Sequence, residues 1–352
     1  MPARRGRPLA ALGMLALALP AVGQVIEPEG WQNVGPAYED VRSISLAPDA
    51  PETLYAAATN PPTTASGLFK STNGGGSWRL LAGAFPGETA DVVRVDPRVP
   101  ARVFATTVRP TGESSFSTRI YRSVDGGATW TAAADLEGRG GSFAFDTAAA
   151  FRVYFASGAG PLYASEDTGV TWQLRTSDHR YPVAAGPGGW LYAGGPDGVT
   201  VLRSGDSGNN WSPLPPLPCR TIYFPTVQTL ALDSEGRLYV GSGQTRMTFV
   251  DCAAVLRWNV QSGWEVVAPF AARSLAFDPA DPTRAYAIAF GPGYAQVRRT
   301  VDAGNSWDAL SASGEFDAVE LALSASGRRL YAAAPTGIYR LDIRKPRALD
   351  PR

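Results

Sequence analysis

Four acidic residues recur in one setting along this chain of 352 residues. Asp125, Asp167, Asp206 and Asp302 each follow a Ser or Thr by two positions and precede a Trp by five, as in Ser123-Val124-Asp125-Gly126-Gly127-Ala128-Thr129-Trp130. The tryptophans are Trp130, Trp172, Trp211 and Trp307. A further copy, Ser71 to Trp78, has Asn73 in the acid's place, and Gln261-Ser262-Gly263-Trp264 is a worn remnant. Repeated carboxylates can bind metals or move protons. One lone carboxylate per repeat suits neither role. A structural role fits better: the carboxylate accepts backbone N–H bonds inside a hairpin, Gly takes the positive-φ position, and Trp fills a gap between neighbouring repeats.

Other reactive residue types are scarce. His179 is the only histidine, which leaves no material for a His-based triad or a multi-histidine metal site. We expect no metal and no cofactor. Cys219 and Cys252 are the only cysteines, and in an exported chain they read as a disulfide, with two buried free thiols as the alternative.

The elements that carry these residues follow from periodicity. A short aromatic-centred strand recurs seven times, at Tyr55, Phe104, Tyr154, Tyr192, Tyr239, Tyr286 and Tyr331, with spacings of 49, 50, 38, 47, 47 and 45 residues. A period in the forties with all-β texture signals a propeller whose unit is a four-stranded blade. With 38 Gly, 29 Pro and 10% aromatic residues, the composition favours many short strands joined by tight turns and disfavours a helical bundle or a disordered chain. The expected fold is all-β, a single seven-bladed propeller of four-stranded antiparallel blades spanning 24–345, followed by a tail at 346–352. The last repeat lacks its own tryptophan hairpin, whereas Trp31-Gln32-Asn33-Val34 resembles the start of an outer strand. Residues 31–34 are therefore expected to complete the last blade and close the ring.

Residues 1–23 read as a secretory signal: Arg4, Arg5 and Arg7, an apolar run from Leu9 to Leu19, then small residues at 21–23. The apolar run is too short to span a bilayer. Loss of this segment removes three arginines and no acid, taking the formal net charge from 0 to −3. That is no footprint for nucleic acid. The expected location is secreted or periplasmic, with no membrane span in the mature chain, which is expected to be a monomer.

Strand alternation puts the tryptophan hairpins on one side of the ring. On the other side the links between blades join longer connections at 60–67, 108–118, 243–253 and 290–296, where binding usually resides. Aligned starts of the innermost strands place Arg42, Asp91, Gly141, Tyr181, Gln228, Arg273 and Val319 around the mouth of the central channel. Asp40, Arg139, His179, Arg180 and Asp317 lie within two residues of it. Arginines there can grip a carboxylate bidentately, or they are loop ends paired with Asp40, Asp91 and Asp317. The candidate ligand-binding residues are Arg42, Asp91, Arg180, Tyr181 and Arg273.

The hairpin motif resembles the Asp-box, or BNR, pattern Ser-x-Asp-x-Gly-x-Thr-Trp. With its period and closure, the chain resembles the seven-bladed Asp-box propellers: sortilin-type receptor domains, the photosystem II stability and assembly factor, and xyloglucanase-type glycosidases. Sialidases share the boxes, typically with six blades. The resemblance implies the fold and leaves the activity open. A sialidase would carry an Arg-Ile-Pro motif, three arginines, an acid/base Asp and a Tyr/Glu pair; here Arg119-Ile120-Tyr121 lacks the proline. A xyloglucanase-like enzyme needs two propellers across a cleft. The reading is an exported, non-enzymatic binding or assembly-scaffold propeller recognising a protein segment or glycan, with an exo-acting glycosidase of the sialidase kind as the alternative. Three arginines, a Tyr–Glu contact and a free Asp in one pocket would favour the enzyme. Arginines each paired to a local acid would favour the binding module.

Overall fold

The computed structural model describes residues 30–343 except 37–39, 60–66, 82–84, 86–87, 113–114, 159–160, 178–180, 219–225, 244–252, 292–293 and 313. The signal segment, the C-terminal tail, Arg180, His179, Cys219 and Cys252 lie outside the described residues.

The aromatic strand of each blade, its second or strand B, is an apolar run, and outside blade 4 it is buried on both faces, as in Leu54, Tyr55, Ala56, Ala57 and Ala58, none more than 1% exposed. Such a strand needs cover on both sides, and a ring of blades supplies it. Seven four-stranded antiparallel sheets form, with strands A to D ordered from the channel outward. Strand A is Asp40–Ala47 in blade 1, Thr89–Val95 in blade 2, Gly141–Phe145 in blade 3 and Val183–Ala185 in blade 4. It is Thr226–Leu232 in blade 5, Ala272–Asp278 in blade 6 and Glu320–Leu323 in blade 7. A single 3-10 turn at Pro187–Gly189 is the only helical element among the described residues.

The core is a torus of inter-blade clusters. One joins Tyr55, Leu68 and Leu81 of blade 1 to Val93, Val103 and Tyr121 of blade 2. Another joins Tyr331 and Ile338 of blade 7 to Val41, Ile44 and Leu54 of blade 1. That second cluster is the seam. The first strand of the chain, Gln32–Gly35, pairs with Gly337–Asp342 and becomes strand D of blade 7, with Asn33 opposite Tyr339. Trp31 packs edge-on against Phe316 with centroids 5.1 Å apart and donates its indole N–H to the Leu310 carbonyl at 2.8 Å. Closure removes the open edge that would otherwise invite another strand.

Two connections expected as loops are strand hairpins. In blade 2 the ladder between Val103–Pro110 and Phe116–Ser123 continues to Pro110 opposite Phe116. In blade 6 the ladder between Asp281–Gly291 and Tyr294–Thr300 continues to Gly291 opposite Tyr294. Gly and Pro signal a turn but not where it begins. In blade 2 the extension is held by charge: Arg119 makes a bidentate pair with Asp135 on the neighbouring strand at 2.7 and 2.9 Å.

Candidate functional site: the channel mouth

Four of the innermost strands carry a β-bulge near their start. Pairing skips Arg42 between Val41 and Ser43, Asp91 between Ala90 and Val92, Gln228 between Val227 and Thr229, and Arg273 between Ala272 and Ser274. A bulge leaves one residue out of the ladder and re-aims its side chain. All four residues line one cavity of about 410 Å3 in the channel mouth, and Gly141, Tyr181 and Val319 complete the ring. Gly141 has φ +149°, and a Cβ there would stand 2.3 Å from the Ala156 carbonyl oxygen, so at this one position of the ring blade 3 contributes only backbone.

The mouth is charged and asymmetric. Arg42 donates from Nε to Asp40 at 3.3 Å and lies 3.7 Å from Asp91. Burial raises the Asp91 carboxyl above its usual range, opposed by Arg42 and Arg139. Across the ring, burial lowers the pKa of Arg273, opposed by Asp317 at 3.6 Å. Arg273 lies over the Phe290 ring at 4.9 Å, and Arg139 lies over Phe116 at the same distance. Among the described residues neither guanidinium makes a hydrogen bond. Both are seated on aromatic faces, Arg273 with Asp317 as an ion-pair partner and Arg139 acting on Asp91 through space.

Below this rim sits an ion pair that the sequence reading missed. Arg94 of blade 2 meets Glu320 of blade 7 and also donates to Ser43 Oγ of blade 1 at 2.7 Å. Glu320 accepts the Ile44 N–H at 2.9 Å. At three other junctions between blades a serine serves this edge: Ser43 accepts from Val93 N–H, Ser142 from Val183 N–H and Ser274 from Leu321 N–H. At the seam a carboxylate takes the serine's place. The signal was Arg94 between the valines of Thr89–Val95 and Glu320 at the head of the apolar strand Glu320–Leu323. Burial holds the Tyr181 phenol above its ordinary range, with Glu320 and Asp91 adding and Arg94 opposing.

Three arginines, Tyr181 and Asp91 thus share one cavity, but each arginine has an acid: Arg42 with Asp40 and Asp91, Arg94 with Glu320, Arg273 with Asp317. No hydrogen bond joins Tyr181 to Glu320 among the described residues. No group of three His, Cys, Asp or Glu side chains that could hold a metal occurs among them either.

The repeated hairpins lie on the opposite face with their carboxylates turned inward. Asp125 accepts from Ser123 Oγ, Thr129 N–H and Thr129 Oγ1 at 2.8, 2.9 and 2.6 Å. Asp167, Asp206 and Asp302 repeat this arrangement, and Asn73 repeats it with its side-chain oxygen, which accepts from Ser71 Oγ and Ser77 N–H. Trp130, Trp211 and Trp307 each donate to the carbonyl of the hairpin glycine three residues back, whereas Trp78 donates to Val34. Trp172 packs against Phe104 and Phe143. These groups are occupied in holding hairpins.

No protein-family model matches the chain, and no curated protein matches it. Among solved structures it is similar to the GH74 xyloglucanase from Xanthomonas campestris, with TM-score 0.68 and 19% identity over 89% of this chain and 53% of that one. The chain therefore spans about half the length of that enzyme. It is also similar to YCF48 bound to D1 peptide, with TM-score 0.64 and 13% identity over 92% of this chain and 100% of that one. YCF48 from Cyanidioschyzon merolae gives TM-score 0.61 and 13% identity over 89% and 98%. At these identities the likeness establishes the propeller fold.

Proposed function

We propose that this chain is an exported, non-catalytic binding or assembly-scaffold propeller that receives a segment of a partner protein or a glycan at the loop-side mouth of its channel. The observation that carries the reading is the state of Arg139 and Arg273, held over Phe116 and Phe290 with no hydrogen bond from their guanidinium groups among the described residues. Pre-oriented donors of this kind suit a carboxylate or another polar anionic group brought by a ligand. A volume of about 410 Å3 is at the small end for ligand pockets. It has room for one or two side chains or a sugar unit, so a partner would insert a terminus or a projecting residue. The peptide-bound neighbour is consistent with that mode.

The glycosidase reading draws on Arg42, Arg94, Arg273 and Tyr181 sharing a cavity. Against it stands the pairing of each arginine with its own acid. Hydrolysis of fluorogenic sialosides and aryl glycosides by the purified chain separates the two. We expect no turnover, and capture from an envelope fraction that weakens in Arg139→Ala and Arg273→Ala. Turnover lost in both Arg42→Ala and Arg273→Ala would overturn the binding reading and place chemistry at the mouth.

A further inference from the structure

On strand C of every blade, one residue sits opposite the strand B aromatic and faces one residue of strand D. The facing pairs are Arg122 with Thr131, Ala164 with Gln173 and Arg203 with Ser212. They continue as Arg257 with Glu265, Arg299 with Asp308 and Arg340 with Gln32. Each basic residue there faces a neutral or acidic partner. Blade 1 alone sets cation against cation, Lys70 opposite Arg79. Like charges directly opposite destabilise a sheet.

Among the described residues Arg79 has no acidic partner, and Lys70 feels the Asp125 carboxylate of the neighbouring hairpin without forming an ion pair with it. Lys70 donates to the Gly126 carbonyl of blade 2 at 2.7 Å and lies 5.1 Å from the centre of the Tyr55 ring. Arg79 is exposed and makes no hydrogen bond or ion pair among the described residues. The hairpin beside them is also the one in which Asn73 replaces the aspartate found at positions 125, 167, 206 and 302. Two independent departures from the repeat thus raise the positive charge at one spot: an arginine gained on strand D and a carboxylate lost from the hairpin.

The spot is concave. A depression of about 230 Å3 is lined by Lys70, Thr72, Ser77, Trp78 and Arg79. Ser77 Oγ accepts a bond from Asn73 Nδ2 at 3.0 Å, which leaves its own proton to donate outward. The Trp78 indole N–H is spent on the Val34 carbonyl, so a ligand meets only the apolar ring. Burial, then Arg79, lowers the pKa of the Lys70 ammonium against the pull of Asp125, and a bound anion would add to that pull.

We propose that this depression on the rim of blade 1 binds an anionic saccharide unit, its carboxylate or sulfate between Lys70 and Arg79 and its ring against Trp78. An indole face beside hydroxyl donors and two cations gives a charged sugar a surface for its ring as well as partners for its acid and hydroxyl groups, whereas the side chain of an acidic peptide would use only the cations. The site is separate from the channel mouth and lies toward the hairpin face.

Binding of the full chain to polygalacturonate, dextran sulfate, poly-L-glutamate and inorganic sulfate tests this, with Arg79→Ser and Arg79→Asp as variants. Serine stands opposite Arg203 in blade 4 and Asp opposite Arg299 in blade 6, so both replacements are already accommodated by this fold. Expected is binding to one or both polysaccharides that weakens with salt, with the carboxylate and sulfate polymers separating the two headgroups. It should fall by about tenfold or more in either variant, as loss of one charge-assisted contact predicts. Arg79→Asp should also raise Tm. No polysaccharide binding by the unaltered chain, undiminished binding by Arg79→Ser, binding to inorganic sulfate alone, or equal Arg79-dependent binding to poly-L-glutamate would each overturn the proposal.

Discussion

Arg94 and Glu320, 226 residues apart, form an ion pair that reaches past blade 1 and ties blade 2 to blade 7 across the seam of the ring. Glu320 also holds the Ile44 N–H, so one carboxylate serves three successive blades. Glu320→Ala leaves a half-buried guanidinium and a backbone donor without partners, which should cost about 2–4 kcal/mol. Glu320→Gln keeps an acceptor for Ile44 and should cost less. Urea unfolding of both variants measures the difference, and equal losses would mean the charge is irrelevant.

Trp31 is the first side chain to anchor the closing strand, through Phe316 and the Leu310 carbonyl. Trp31→Ala should cost about 3 kcal/mol. It should also release the strand and expose the edge of Gly337–Asp342 to another chain. Light scattering during mild heating should show association at temperatures where the parent chain is still monodisperse.

The hairpin aspartates predict an acid limb of stability. Hydrogen bonds from Asn210 lower the pKa of Asp206 to about 2. Burial opposes ionisation at Asp167 and Asp302, but bonds from Thr171 and Ser306 outweigh it. Unfolded aspartates titrate near ~4. A depressed folded pKa contributes stability above the unfolded value that is lost as pH falls through the folded one. The urea midpoint should therefore be flat above about pH 5 and fall between roughly pH 4 and 2. Asp206→Asn should flatten part of that limb, and an unchanged slope would assign the acid sensitivity elsewhere.

The residue after each hairpin acid is left-handed even where it is not glycine: Thr168, Ser207 and Ala303 have φ of 64°, 65° and 58°. Ala303 has no side-chain hydrogen bond to lose. Ala303→Gly should stabilise by up to about 1 kcal/mol, because relief of the Cβ clash outweighs the added freedom of the unfolded chain. A fall in Tm would show that the turn is unstrained.

Asp91 is a carboxylate whose burial raises its pKa against the pull of Arg42 and Arg139. For an acid with a raised folded pKa, the stabilising contribution lies below the unfolded value and is lost as pH rises through the folded one. Asp91→Asn should thus leave stability at pH 7 unchanged or slightly higher while altering ligand capture. A large loss of stability would make Asp91 a structural ion-pair partner.

The repeat count, the aromatic strand B of each blade, the hairpin chemistry and the closing segment near Trp31 were all readable in the sequence. Each is written in local alternation and spacing, and seven copies average out the ambiguity of any one. Aligned strand starts also named residues that line one cavity, because position along strand A translates directly into depth in the channel. Other features arise only when the ring closes. The Arg94–Glu320 pair needs blades 2 and 7 brought to either side of blade 1, and no local pattern encodes that meeting. What a guanidinium meets depends on the ring beneath it and the acids beside it: Arg42 donates to Asp40, whereas Arg139 lies over Phe116. The like-charged pair Lys70–Arg79 emerged from cross-strand register, which sets which residues face one another and which no single strand contains.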